Sequence, residues 1–377
     1  MQSIQRGAWD HMLDNVVNFY YGYVQVHQKG YWEEQSLNRA LAWSDELKSK
    51  LLTTPAVRAA APRLESFALA STGEETMGVL VVGTDPAAEN ALTGLEGRLV
   101  AGQYWDGPTD GGVLLASGVA EKLALVPGDT LILLSQGYRG ANAAGKYPVR
   151  GLLKFGSPEL NKQMVYLTQE QAAYFFAAEN LATTVALKLD RKEDVGRVMQ
   201  ALRQQLDTSQ YEIMSWQEMI PELVEAKELD TAGNNLVLAV LYLIISFGVF
   251  GTILMMVRER QYEFGVLIGI GMQRFQLGLT VWLEIIFLGL LGVLAGMALS
   301  FPLVYYFQQS PIDLSMMGEE AVATYEKFGM EPILPAAVDF DIFFQQAVIV
   351  FFITTLLAIY PYLKLRKLDP VSAMRGA

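Results

Sequence analysis

Three long apolar segments constrain the fold of this chain more than any other feature of its sequence. Residues 236–257 and 343–363 contain no charged residue, and residues 277–307 contain one, Glu284. A helix needs about 20 apolar residues, at about 1.5 Å per residue, to cross the hydrocarbon core of a bilayer. Helices buried in soluble proteins seldom reach this length without a charge. We therefore predict three spans, which form an α-helical transmembrane domain over residues 233–377.

Charges in the connecting segments predict the orientation of these spans. Residues 258–276 carry three arginines, and four lysine or arginine residues follow the last span. Residues 308–342 carry seven acidic residues and a single lysine. Because segments rich in lysine and arginine stay on the cytoplasmic side, we predict a cytoplasmic C-terminus and place residues 1–235 on the extracytoplasmic side.

Residues 1–235 mix polar and apolar residues as a soluble domain does, and a domain of this size does not cross a membrane unaided. The first residues, MQSIQRGAWDHMLDNVVNF, lack the apolar core of a signal peptide. We therefore expect a fourth span upstream of Met1, and we interpret residues 1–15 as the end of the helix that begins there.

The composition excludes several classes of function. The net charge of −12 argues against nucleic acid as a partner, because phosphate binding needs clustered lysine and arginine. The absence of cysteine excludes disulfides and thiolate chemistry. The only histidines are His11 and His27, which excludes a metal site built from several histidines. We expect both to be polar surface residues.

No motif in the sequence indicates an enzyme. The segment GANAAGKY has the glycine and lysine spacing of a phosphate-binding loop at Gly140, Gly145 and Lys146. That loop also needs a serine or threonine for magnesium and then a helix, whereas Tyr147 and Pro148 follow here. We therefore predict a β-hairpin turn at this position and no nucleotide site.

The segment of residues 16–232 is predicted to be an α+β domain. Two strand–helix–strand units flank an insertion at about 86–180, which is rich in turns and short apolar strands. This order is typical of a split, ferredoxin-like module that carries a mostly-β subdomain. The predicted helices are 5–20, 33–53 and 193–206, and the predicted strands are 20–27, 63–71, 77–83, 183–190 and 211–216.

Two features of the second span need a structural explanation. Glu284 is costly inside a membrane unless it is partnered or reaches the interface, so it is either an interfacial residue or part of a contact. Gly289, Gly292 and Gly296 lie on the same helix, and small residues let helices approach closely. This glycine face packs either within the chain or against a second copy.

The segment RERQYEFGVLIGIGMQRFQL, between the first two spans, is the most informative part of the sequence. Phe264, Leu267, Ile268 and Gly271 recur at the spacing of one helix face. The pattern predicts a short helix with one apolar face. Such a helix either lies on the membrane surface or docks in a groove of a cytosolic protein.

This segment and the helix after it resemble the permease signature of FtsX-like ABC transporter subunits, the group that contains MacB and the lipoprotein-releasing (Lol) permeases. The signature is an arginine, a Glu-x-Gly-x-Leu core, a glycine-rich stretch and a glutamate in the next span. Met272 stands where the family usually has a small alanine. The matching residues are Arg258 or Arg260, Glu263, Gly265, Leu267, Gly271 and Glu284, with Pro370, Ala373 and Arg375 in the C-terminal tail.

The extracytoplasmic part is similar to the same family. The segments VVGTDP, GRLVAGQYW, GVLLASGVAEKLALVPGDTLIL and VRGLLKFGSPELNKQMVYLT follow the order typical of these permeases. The resemblance therefore covers nearly the whole chain and implies a MacB-like periplasmic domain followed by an FtsX-like permease domain. It also implies a four-helix topology, in agreement with the expected upstream span.

The resemblance implies a non-catalytic, multi-pass subunit of the inner membrane that binds no cofactor. A separate cytosolic ABC ATPase would bind and hydrolyse ATP, and a second permease copy or a paralogue would complete a dimer among the membrane lipids. ATP-driven motion would pass through the spans to the periplasmic domain, which works as a lever, without a channel. We expect release of lipoproteins to a periplasmic carrier. The alternatives are MacB-like export of peptides or small molecules with an adaptor, and FtsX-like regulation of a cell-wall hydrolase.

Overall fold

The structure, a computed structural model, describes residues 1–314, 318 and 333–366, which belong to two compact units. The membrane unit consists of Met1–Trp9, Glu225–Ile312 and the described part of Ile333–Ala377. The outer unit consists of Asp10–Val224 and the described part of Asp313–Pro332.

Helices and strands alternate in the outer unit, and long helices follow. The helices are α1 Gln2–Val16, α2 Tyr31–Glu34, α3 Asp45–Thr53, α4 Pro86–Thr93, α5 Ser117–Lys122, α6 Pro158–Gln163, α7 Gln169–Phe176, α8 Val195–Gln205, α9 Trp216–Met219, α10 Pro221–Glu259, α11 Gln261–Gly269, α12 Arg274–Gln309, α13 Phe340–Leu357 and α14 Ile359–Leu365. The strands are β1 Val24–Gln28, β2 Leu41–Ala42, β3 Val57–Ser71, β4 Thr76–Thr84, β5 Leu99–Gly102, β6 Val113–Ala116, β7 Thr130–Gln136, β8 Asn142–Leu153, β9 Met164–Thr168, β10 Leu181–Ala182, β11 Thr184–Leu189, β12 Tyr211–Ser215, β13 Ile312–Asp313 and β14 Ile333–Leu334.

Strands β12, β1, β11 and β3 lie side by side in that order, and each pair of neighbours is antiparallel. In chain order these are the fourth, first, third and second strands of two strand–helix–strand units, which is the split, ferredoxin-like arrangement. The prediction of this module is confirmed. Its core includes Val24 and Val26 of β1, Leu187 of β11, and Val198 and Leu202 of α8. The apolar spacing of EDVGRVMQALRQQL therefore places one face of α8 on the sheet.

The insertion between β3 and β11 continues the same sheet. Strand β3 pairs with β11 through its first half, with β7 at its end, and with β4 along its second half. Strand β4 then pairs in parallel with β9. The short apolar strands expected in the insertion are present as β6, β7, β8 and β9, but the region also contains helices α4 to α7. The insertion is therefore a mixed α/β region. Its strands belong to the same sheet as β11, because the long strand β3 pairs with β11 at one end and with β4 at the other.

One helix prediction in the outer unit is wrong. Of residues 33–53, only Asp45–Thr53 form a helix that lasts more than one turn. Ser44 ends the preceding extended segment and caps this helix by accepting a hydrogen bond from the backbone N–H of Leu47. Gln35 is left-handed with φ 45°, which terminates the first turn at Glu34. Of the charged residues before Ser44, Glu33 and Glu34 thus lie in the single-turn helix α2, and Arg39 lies in a 3-10 turn.

The segment GANAAGKY lies in the hairpin of β7 and β8, in which Gln136 pairs with Asn142 and Thr130 pairs with Pro148. The residues from Asn142 onward form a strand, so the helix that a phosphate-binding loop needs is replaced by extended backbone. The prediction of a hairpin is confirmed.

The prediction that His27 is a surface residue is wrong. Strand β1 lies between β11 and β12, and His27 is fully buried, with its ring 5.2 Å from the ring of Tyr31. Its Nδ1 lies 3.3 Å from the carbonyl oxygen of Thr183. Burial lowers the pKa of His27 to about 4, against the opposing effect of the Thr183 carbonyl.

A buried ion pair lies under α4 in the outer unit. Arg63 donates from Nε and Nη2 to the two carboxylate oxygens of Glu89, at 2.9 and 2.7 Å, and both side chains are fully buried. Thr84 and Thr93 donate to the same carboxylate. Burial lowers the pKa of Arg63, but the charge and hydrogen bonds of Glu89 outweigh it and raise that pKa overall. Arg63 therefore stays charged.

Three helices among the described residues are long and apolar enough to span a bilayer: Pro221–Glu259, Arg274–Gln309 and Phe340–Leu365. They include the predicted spans 236–257, 277–307 and 343–363. Helix α10 has 39 residues, which makes it about 58 Å long at about 1.5 Å per residue. That is nearly twice the thickness of a hydrocarbon core. Residues 221–235 thus extend the first span as a continuous helix.

Candidate functional site

The short helix predicted between the first two spans is α11, which follows Arg260 and ends at Gly269. Gly271 has φ +109°, a conformation that favours glycine, and it turns the chain toward the start of α12 at Arg274. The non-helical residue Arg260 on one side and the turn at Gly271 on the other separate α11 from the long helices α10 and α12.

One face of α11 is covered by the membrane unit itself. Phe264 and Gly265 are buried, and Ile268 is partly buried. Phe264 belongs to an apolar cluster with Val257 of α10 and Val281 of α12. The covered face of α11 therefore differs slightly from the predicted apolar face, because it excludes Leu267, whose surface is 36% exposed.

The opposite side of α11 exposes apolar side chains. Tyr262 is 61% exposed and Ile270, just after the helix, is 78% exposed. With Leu267 they form the exposed edge of α11. Glu263 and Arg258 are exposed as well. Because the covered face is already filled by the chain, this edge is the side of α11 that another molecule can contact.

Two residues that the sequence singled out separately are in contact. Arg260 Nη1 lies 2.6 Å from Oε1 and 2.8 Å from Oε2 of Glu284. Its Nε donates to Glu263 at 3.2 Å, and its guanidinium lies 5.5 Å from the ring centre of Phe264. These hydrogen bonds, first that of Glu284 and then that of Glu263, raise the pKa of Arg260 above its ordinary value. Arg260 therefore ties the start of α11 to α12.

The glycines of α12 divide into two groups. A Cβ on Gly289 would lie 2.7 Å from Cγ2 of Thr354, so α12 and α13 pack closely there. Gly278, which the sequence analysis missed, meets Tyr362 in the same way at 2.9 Å. A Cβ on Gly292 or Gly296 would meet no atom within 4 Å among the described residues. The predicted Gly292–Gly296 pair is therefore open.

These open glycines line an apolar groove of about 870 Å³ between α10, α12 and α13. Along α10 the groove extends from Leu238 to Met256, about 27 Å of helix at about 1.5 Å per residue. This length is close to the thickness of a hydrocarbon core. At one end the groove has polar groups, because Gln346 donates to Gln2 at 2.6 Å and accepts from the hydroxyl of Tyr242.

Within the described ranges, no group of three or more histidine, cysteine, aspartate or glutamate residues could hold a metal ion. Pro370, Ala373 and Arg375 of the C-terminal signature lie outside the described residues.

Two family comparisons match this chain. Residues 1–205 match the family described as MacB-like periplasmic core domain, and residues 235–370 match the family described as FtsX-like permease C-terminal. The chain belongs to the FtsX-like and MacB-like permease family. Its N-terminal part is a periplasmic domain of the MacB kind, and its C-terminal part contains helices long and apolar enough to span a membrane.

One curated relative of this permease is the lipoprotein-releasing system transmembrane protein LolC of Neisseria meningitidis serogroup B (strain ATCC BAA-335 / MC58). It is 22% identical over 247 residues, which cover 64% of this chain and 59% of the relative. The permease thus spans about three fifths of the length of that relative.

Two solved structures are similar to the permease. The extracellular domain of YknZ, a transporter of Gram-positive bacteria, has 13% identity and a TM-score of 0.37, and covers 52% of this chain and 100% of that chain. The periplasmic region of MacB from Actinobacillus actinomycetemcomitans has 14% identity and a TM-score of 0.39, and the match covers 57% of this chain and 98% of that chain.

Proposed function

We propose that this permease converts ATP hydrolysis by a separate cytosolic ABC ATPase into motion of its periplasmic domain, and that α11 receives the force. The contact between Arg260 and Glu284 carries this proposal, because it fastens a short helix with an exposed apolar edge to a long membrane helix. The permease itself is a non-catalytic subunit that works as a dimer with a second copy or a paralogue.

The architecture of α11 suits a docking element. Its inner face is packed on α10 and α12, so a force on its outer edge is transmitted to both helices. The exposed edge of α11 offers apolar side chains between Arg258 and Arg274, and the positive-inside rule assigns this side to the cytoplasm. An amphipathic helix of this kind fits a groove on a soluble partner.

Lipoproteins are the substrate class that we favour. The curated relative is named for lipoprotein release. The groove that Gly292 and Gly296 line is apolar, has polar groups at one end, and is about as long as the hydrocarbon core of a bilayer is thick. Acyl chains in this groove would keep a lipid-anchored protein in place until the periplasmic domain moves it. The C-terminus is cytoplasmic in this arrangement.

Co-purification in mild detergent identifies the ATPase, and the reconstituted complex then tests the proposal in proteoliposomes. Glu263→Arg reverses the charge beside Arg260 and should reduce ATPase stimulation at least tenfold. Glu259→Arg makes the same change outside α11 and should retain stimulation within twofold. Equal stimulation in both variants would show that α11 is not the docking site. Release of a fluorescent triacylated lipopeptide to the soluble phase tests the substrate class separately.

A further inference from the structure

A set of contacts fastens α1 to the other helices of the membrane unit, at the end of α10 opposite to Arg260. The N–H groups of Trp9 and Gln5 donate to Oδ2 of Asp230, each at 2.7 Å. Gln5 also donates to the backbone oxygen of Asp230 at 3.1 Å. A carboxylate that accepts several hydrogen bonds holds its donors in a fixed geometry. Asp230 therefore fixes two successive turns of α1 to α10.

The same part of α1 is also tied to the residues before α13. Arg6 Nη1 lies 2.5 Å from Oδ2 of Asp339, and the N–H of Ala337 donates to the carbonyl oxygen of Ser3 at 2.7 Å. A Cβ on Gly7 would lie 2.3 Å from the carbonyl oxygen of Pro335. Only glycine permits this approach of the two backbones.

The side chains involved follow a helical pattern. Gln2, Gln5, Arg6 and Trp9 are spaced i, i+3, i+4 and i+7, so they share one face of α1. Within that face, Gln5 and Trp9 contact α10, whereas Arg6 and Gln2 contact the last span and the residues before it. The first two turns of α1 thus bridge two separate parts of the membrane unit. The members of this clasp are Ser3, Gln5, Arg6, Gly7, Trp9, Asp230, Pro335, Ala337 and Asp339.

We infer that the clasp stays closed throughout the ATPase cycle and makes α1 move together with α10 and α13, with Asp230 as its positioning residue. The inference rests on the proposed function, because it names the residues that pass the motion to α1. Four features support a rigid joint: two carboxylates at its centre, an indole donor, a backbone hydrogen bond and a glycine contact. Helix α1 continues without a break from the clasp to Val16.

A disulfide tests whether the clasp opens, since the permease has no cysteine. Ser3→Cys with Ala337→Cys places two thiols on backbones that are hydrogen-bonded to each other. We expect oxidation to give the same cross-link yield in the nucleotide-free and the vanadate-trapped complex. The cross-linked complex should also release the fluorescent lipopeptide at an unchanged rate. A severalfold lower yield in the trapped state, or a block of release that dithiothreitol reverses, would show that the clasp opens.

Substitution of Asp230 tests its positioning role. Asp230→Ala should reduce lipopeptide released per ATP hydrolysed at least tenfold while ATPase activity stays within twofold, whereas loss of folding would lower both. Glu228→Ala, two residues earlier on α10, is the matched control and should change neither. Parallel loss of both activities in Asp230→Ala, or no loss, would overturn the role. If the wild-type complex releases no lipopeptide, the substrate proposal fails, and the cross-link yields still test the clasp.

A charge swap gives a second test of the clasp. Arg6→Asp and Asp339→Arg should each lower the yield of the Ser3–Ala337 cross-link severalfold, because each replaces the ion pair by two like charges that face each other. The double variant restores the opposite charges and should restore the yield to at least half. Failure of the double variant to recover, with both single variants impaired, would exclude the ion pair as a part of the clasp.

Discussion

Arg260 Nη1 contacts both carboxylate oxygens of Glu284, at 2.6 and 2.8 Å, across 24 residues of sequence. Arg260 lies at the start of the short helix α11, and Glu284 lies in the third turn of the long helix α12. A charged residue in a span is stabilised by a partner. Because the partner here is the residue at the N-terminal end of α11, the cost of a charge in this span is offset by a contact that joins the two helices.

A double-mutant cycle should measure this contact. Arg260→Ala and Glu284→Ala should each reduce ATPase stimulation, and the double variant should lose less than the sum of the two. We expect a coupling free energy of about 1 kcal/mol, because both side chains are more than one third exposed in the structure and screening weakens such pairs. Additive losses would mean that the two residues act independently. Arg197→Ala, on an exposed arginine of α8 in the outer unit, serves as the control.

The glycines of α12 provide a matched pair for a packing test. Gly289→Val should destabilise the membrane unit by about 1–3 kcal/mol, since its side chain would overlap Thr354. Gly292→Val lies one turn away in open space and should have an effect below about 0.5 kcal/mol. Thermal unfolding in one detergent compares the two variants. Gly289→Ala with Thr354→Ala should recover most of the stability, because the clashing Cγ2 is removed.

The buried ion pair of the outer unit should be sensitive to loss of either partner. Glu89→Ala leaves Arg63 charged, fully buried and short of two hydrogen bonds, and should cost about 3–5 kcal/mol. Glu46→Ala breaks an exposed ion pair with Lys50 at 2.7 Å and should lower the free energy of unfolding far less than Glu89→Ala does. Urea unfolding followed by the fluorescence of the outer unit measures both. A similar loss of unfolding free energy in the two variants would contradict the larger contribution expected of the buried pair.

His27 predicts a pH dependence of stability. Burial lowers its pKa to about 4 from the ordinary 6.5, so the folded state binds fewer protons than the unfolded state between these values. The contribution of neutral His27 is complete above pH 6.5, decreases as the pH falls, and is lost by about pH 4. The total change is of order 3 kcal/mol.

The difference between wild type and His27→Phe isolates this effect. Glu65 titrates in both proteins, and burial raises its pKa, so its contribution cancels in the difference. The free energy of unfolding of His27→Phe should lack the decrease between pH 6.5 and 4. Parallel curves for the two proteins would show that His27 is not the group responsible.

The spans and the strand order were predictable because they depend on local patterns. A run of apolar residues or an alternating strand is visible within a window of sequence, and so is a single glutamate such as Glu284 in an apolar span. The pairing of Arg260 with Glu284 was not predictable, since no period relates positions in different helices. The same is true of Asp230, whose partners Gln5 and Trp9 are more than 200 residues away.

The two wrong predictions have different causes, one local and one long-range. Residues 33–53 have helical spacing, but Ser44 and the left-handed Gln35 interrupt the helix, and capping residues weigh more than composition at such points. His27 was predicted to be a surface residue because it is polar and is followed by the polar residues Gln28 and Lys29. Its burial depends on the strands that flank β1, which come from residues 184–189 and 211–215.

The lever mechanism makes a prediction about α10, whose 39 residues form one helix from Pro221 to Glu259. Insertion of six Gly-Ser residues between Val224 and Glu225 replaces a stiff connection by a flexible chain, which transmits no directed displacement. We expect ATP hydrolysis by the complex to persist and release of the fluorescent lipopeptide to fall at least tenfold. The insertion precedes Asp230, so the clasp remains intact.

A seven-residue insertion rich in alanine, glutamate and lysine at the same point is the control. Seven residues make close to two helical turns, so this insert lengthens α10 while it keeps the two ends nearly in phase. It should retain at least half of the release that the Gly-Ser insertion abolishes. If both insertions behave alike, the effect comes from the added length. If neither reduces release, the substrate does not depend on a stiff α10, and a path through the spans becomes the better explanation.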